Sequence, residues 1–81
     1  MTEHPIRIAK HSLVIAGHRT SISLEEPFWI ELKKLAAERT LPLAALVAEI
    51  DSTRGSANLS SAIRVAILEW MRARAEAVAP Q

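Results

Sequence analysis

Four residues near position 60 combine types that hold anions. Asn58, Ser60 and Ser61 surround what the sequence reads as a helix start, and Arg64 follows one turn on. The first N–H groups of a helix point outward with partial positive charge. Hydroxyls and a guanidinium beside them would suit a phosphate or the carboxylate of a small metabolite. The same residues also fit an ordinary helix start, with Asn58 or Ser60 as the cap and Arg64 paired with an acid such as Asp51. A second set, Arg19, Ser21 and Ser23, alternates along a strand-like stretch, so its side chains share one face. On pattern alone that face could simply meet water.

Other residue types point away from chemistry. His4, His11 and His18 stand at seven-residue intervals, which no strand or tight turn converts into one tetrahedral site. No metal or other cofactor is expected. Serines are plentiful, yet no base and orienting acid accompany them at a recognisable spacing. With two glycines in all, no phosphate-cradling loop can be drawn. The chain is therefore not expected to be an enzyme. Trp29 and Trp70 could stack on bases, but both lie at helical spacing beside apolar residues, where core or dimer-interface packing is the expectation.

The elements that must position these residues follow from pattern. Ser12 to Ile15 is short, apolar and β-branched, hence strand-like. Ala16 to Arg19 reads as a four-residue turn, and Thr20 to Leu24 alternates polar with apolar. That turn would set Ile15 opposite Thr20 and Leu13 opposite Ile22. Leu13, Ile15, Ile22 and Leu24 then share one face, with Ser12, Ser21 and Ser23 on the other. Pro27 opens a first helix running to about Arg39, with Phe28, Leu32, Leu35 and Ala36 as its apolar stripe. A second helix starts near Pro42 and carries Leu43, Leu46, Val47 and Ile50. Asp51 to Ala57 is a loop, with Gly55 as its turn residue. A third helix begins after Asn58 and carries Leu59, Ile63, Ala66, Ile67 and Trp70, fraying from about Ala75. Residues 1–11 read as a flexible arm, 12–75 as the one domain, and 76–81 as a frayed tail.

Composition bounds the rest. The chain has 81 residues, 49% of them hydrophobic, which is too apolar for disorder. Three apolar stripes in so short a chain imply a second copy to cover them, hence a homodimer. No stretch approaches a membrane span, cysteines are absent, and the first residues lack a secretory pattern, so a cytoplasmic protein is expected. The net charge is only +1, but basic residues gather toward both ends around an acidic middle.

Arg19-Thr20-Ser21-Ile22-Ser23-Leu24-Glu25 resembles the strand and helix start of the ribbon-helix-helix family. Ser60-Ser61-Ala62-Ile63-Arg64-Val65-Ala66 is similar to that family's helix-two signature, a serine followed by isoleucine-arginine. The run from Val14 to Arg64 resembles, more closely, a bacterial subgroup with an extra helix. The resemblance covers about residues 12–71. It implies a mainly α fold with a short N-terminal β ribbon or hairpin, built as an intertwined homodimer. In that family one strand per chain pairs with its partner's, and the ribbon enters the major groove of DNA. Arg19, Ser21 and Ser23 would then read base edges, since arginine matches guanine and serine meets a donor or an acceptor. The resemblance implies a DNA-binding transcriptional regulator or an antitoxin-like protein that also binds a partner protein. The alternative is a dimeric module for a small anionic ligand or a protein, which has kept the fold and lost DNA. Two features depart from the pattern. Pro42 stands where the family has a serine in a phosphate-holding turn, removing a donor. The helix-two signature also falls on the third stripe, about eighteen residues late.

Overall fold

The structure, a computed structural model, describes residues 6–78. Strands β1 (Ile8–Ile15) and β2 (His18–Glu25) form an antiparallel hairpin. Helices α1 (Glu26–Glu38), α2 (Leu43–Thr53) and α3 (Leu59–Val78) follow. His4, Pro80 and Gln81 lie outside the described residues.

The turn is tighter than the sequence suggests. Ala16 and Gly17 alone make it, both at positive φ (51° and 84°), the two-residue turn whose twist matches a hairpin. Ile15 therefore faces His18, Leu13 faces Thr20 and His11 faces Ile22. The expected pairing of Ile15 with Thr20 is thus corrected by two residues. A two-residue slip keeps parity, so Leu13, Ile15, Ile22 and Leu24 still share the inner face. β1 also starts earlier than expected, at Ile8, so residues 8–11 belong to the strand and not to an arm. Trp29 explains the extension: its indole N–H donates to the Ala9 carbonyl at 2.8 Å. The His11 ring stands edge-on to the same indole, with centroids 4.3 Å apart.

Local signals set the helix ends. Pro27 and Glu26 occupy the first turn of α1, where a missing N–H and a negative charge are both tolerated. Its far end closes with Thr40 N–H on Ala37 O and Leu41 N–H on Ala36 O, with Thr40 left-handed at φ 53°. Pro42 then precedes α2 directly. α3 continues to Val78, past the expected fraying point near Ala75.

The core gathers Ile22 and Leu24 from the hairpin, Trp29, Leu32 and Leu35 from α1, Leu46 and Val47 from α2, and Ile63 and Ile67 from α3. One chain therefore covers the main residues of all three stripes, contrary to the expectation that a second copy is required for them. The hairpin supplies the missing layer. Apolar side chains still exposed on helices include Ile30, Val65, Leu68 and Met71.

Candidate nucleic-acid interface

With Ile22 and Leu24 turned inward, alternate residues of the hairpin face away from the core. They include Lys10, Ser12 and Val14 from β1 and Arg19, Ser21 and Ser23 from β2, all exposed, together with Ile8 at the start of β1, 67% exposed. The register sets Lys10 beside Ser23, Ser12 beside Ser21 and Val14 beside Arg19. Beyond a two-residue turn the first pair, Ile15 and His18, is hydrogen-bonded. The three outward pairs are then the non-hydrogen-bonded ones, whose side chains stand closest. The result is a two-row surface, polar apart from Ile8 and Val14, with Lys10 and Arg19 about 13 Å apart along the strands.

Arg19, Ser21 and Ser23 thus share a face, as the alternation suggests. Lys10 and Val14 escape the sequence reading. The inward position next to Lys10 is His11, so no apolar alternation marks the first half of β1. Counting every second residue back from Ser12 finds Lys10 once the strand is known to extend that far. His18 flanks the turn and His11 packs on Trp29. Trp29 is buried, while Trp70 is half-buried and donates its indole N–H to Glu38.

The second candidate set adjoins β2. The Asn58 side chain accepts the Ser61 N–H at 2.8 Å, which is a cap. The Ser60 hydroxyl donates to the Ser23 carbonyl at 2.9 Å. Arg64 forks onto Glu25, Nε to Oε1 at 3.0 Å and Nη2 to Oε2 at 3.3 Å. Its guanidinium also lies 5.7 Å from the centre of the Phe28 ring. Asp51, offered by the sequence as Arg64's partner, holds Arg54 instead. An open groove of about 520 Å³ between β2 and the start of α3 is lined by Ser21, Ser23, Asn58, Ser60, Ser61 and Arg64, among others. It brings the two candidate sets together, apart from Arg19.

The Arg64 guanidinium, hydrogen-bonded to Glu25, holds that carboxyl below its ordinary value of 4.5. Glu25's own backbone N–H adds to the effect. A carboxylate whose pKa falls on folding contributes stability that is complete above the unfolded value and fades as pH drops through the folded one. The stability gap between the parent and Glu25→Gln is therefore expected to be full at neutral pH and to close below about pH 4.5. Thermal melts across that range check this. A gap independent of pH would mean the ion pair contributes nothing.

A family model described as "Ribbon-helix-helix domain" matches residues 8–71, from the start of β1 into α3. The chain belongs to the ribbon-helix-helix family. No curated protein and no solved structure matches it. Ribbon-helix-helix domains are in general DNA-binding modules of the regulator or antitoxin type, typically without enzymatic activity, and commonly form homodimers. In this ribbon-helix-helix chain the segment Ser61-Ala62-Ile63-Arg64, which resembles the family's helix-two signature, stands at the start of α3 beside β2. Among the described residues no helix is long and apolar enough to cross a membrane.

Proposed function

We propose that this ribbon-helix-helix domain is a non-enzymatic DNA-binding regulator, or the DNA-binding part of an antitoxin-like pair, working in the cytoplasm. One observation carries the reading. Arg19, Ser21 and Ser23 project from a strand whose other face is locked into the core, so they are presented rigidly. The start of α3, with Ser60 and Ser61, flanks the same strand.

The small-carboxylate alternative has less support. Arg64, the only cation of that set, is already forked onto Glu25, and the Asn58 side chain is used on the Ser61 N–H. Pairing of two copies is part of the proposal. Val65, Leu68 and Met71 lie along the middle of α3, and with Phe28 they border an apolar hollow of about 250 Å³ that a second copy would cover. Sedimentation at micromolar concentration is expected to show a dimer. A folded monomer overturns the pairing and leaves the DNA reading in place.

Gel shifts with sheared genomic DNA at two salt concentrations test the main reading. Contacts to phosphates release counterions, so affinity is expected to fall steeply with salt. Arg19→Ala is expected to cost about 1–3 kcal/mol at one base pair and to leave the fold intact. A parent protein that binds no DNA, or binds equally at both salts, sinks the proposal.

A further inference from the structure

β2 has one edge on β1 and the other open to a second strand. Arg19, Ser21 and Ser23 stand in non-hydrogen-bonded pairs of the hairpin, so their backbone N–H and C=O groups point away from β1. The Ser60 hydroxyl meets one of these groups, the Ser23 carbonyl. The edge at Arg19 and Ser21 is a template for another chain. In the ribbon-helix-helix family the added strand comes from a second copy, and residues 8–71 of this chain match that family. What sets this chain apart is the strand behind its ribbon strand. β1 pairs with β2 along its whole length, from Ile15 on His18 to Ile8 on Glu25. Two copies joined through β2 therefore form a sheet with the β2 strands at its centre and a β1 on each flank.

Dimensions separate the roles of these strands. Neighbouring strands lie about 4.8 Å apart, so each β1 runs about 7 Å from the midline of such a sheet. The major groove is about 12 Å wide, so its walls stand about 6 Å from its own midline. The central pair fits between the walls. Each β1 then lies over a wall, where the phosphates are. Ile8, Lys10, Ser12 and Val14 are the outward side chains of β1, and Lys10 is the one cation among them. It is exposed, its cross-strand neighbour is Ser23, and it shares a face with Arg19 and Ser21.

We infer that Lys10 is a phosphate anchor: in the paired form, Lys10 of each copy holds the DNA backbone beside the bases that Arg19, Ser21 and Ser23 read. The inference rests on the DNA-binding reading and the pairing of two copies above, and adds a contact that neither needs. A lysine suits the place. Its ammonium is a point charge on a flexible stem, which meets a phosphate without the fixed geometry that base readout demands. One anchor on each wall fixes the register and orientation of the sheet in the groove, while the bases are read from its centre.

The experiment measures binding of the full chain to a duplex selected on the parent protein, at about 50 and 200 mM salt. Each phosphate contact contributes about 0.9 to the slope of log affinity against log salt, so two copies of Lys10 contribute about 1.8. Across that range the parent is expected to lose about twelvefold more affinity than Lys10→Ala. Lys10→Arg is expected to keep the parent's slope. Lys33→Ala removes the same charge from an exposed position on α1, behind the hairpin, and is expected to leave the slope unchanged. The bases selected by Lys10→Ala are expected to match the parent's, whereas those selected by Arg19→Ala differ. Lys10 is exposed, so the fold survives its loss, with circular dichroism as the check. If Lys10→Ala keeps the parent's slope, or changes the bases selected, the anchor is wrong and the DNA-binding reading stands. If Lys33→Ala lowers the slope equally, the effect belongs to net charge and the anchor is again wrong. A parent that binds no duplex takes both readings down.

Discussion

Trp29→Ala is expected to lower stability by about 3–5 kcal/mol, the usual cost of emptying a core position of an aromatic ring. Trp29 is 3% exposed and ties α1 to β1. Its ring fills the space between α1 and the hairpin, and its N–H holds the Ala9 carbonyl. His11 packs on its edge. Trp29→Phe separates these roles, because it keeps most of the ring and loses only the hydrogen bond, at about 0.5–1.5 kcal/mol. Fraying in Trp29→Phe is expected to concentrate in the first half of β1. Amide exchange should accelerate at Ala9 and His11 more than at Leu13 and Ile15. Chemical denaturation measures the first effect and hydrogen exchange the second. A loss below about 1 kcal/mol in Trp29→Ala would mean that β1 is held by its ladder alone.

What the sequence tells of this fold divides by range. Helix starts were legible because their signals are local: Pro27, Pro42 and Asn58 each act on the next few residues, whereas α2 runs on to Thr53, three residues into the expected Asp51–Ala57 loop. The faces of the hairpin were legible too, since a period of two survives a two-residue slip in register. The register itself was not. It depends on Ala16 adopting a positive φ, which an alanine rarely does, so the turn read as four residues. The strand before Ser12 was hidden because its support, Trp29, is 20 residues away from Ala9.

The site follows the same rule. Alternation placed Arg19, Ser21 and Ser23 on one face. The partners of Ser60 and Arg64 lie 37 and 39 residues away, at Ser23 and Glu25. A reading along the chain could offer Arg64 only a nearer acid, Asp51. Likewise the three apolar stripes looked too much for one chain because the hairpin's contribution as a covering layer is a property of the packed structure.

Ile22→Ser and Ser21→Ala are neighbours in sequence with opposite expected outcomes. Ile22 is 2% exposed and packs in the core, whereas Ser21 faces outward beside Ser12. Truncating a buried isoleucine costs about 2–5 kcal/mol. A serine hydroxyl placed there without a partner adds about 1–3 kcal/mol more. Domains are stable by about 0.05–0.15 kcal/mol per residue, so the sum consumes most or all of what a chain this short has. Ile22→Ser is therefore expected to be largely unfolded at room temperature, with any DNA affinity lost through the fold. Ser21→Ala removes one exposed hydroxyl and is expected to change stability by less than about 0.5 kcal/mol. Its effect is expected in DNA selection alone. Urea titration and duplex selection on both variants give the comparison. A folded Ile22→Ser would put the inner face of β2 outside the core. An unfolded Ser21→Ala would mean that the outward row serves the fold before it serves any ligand.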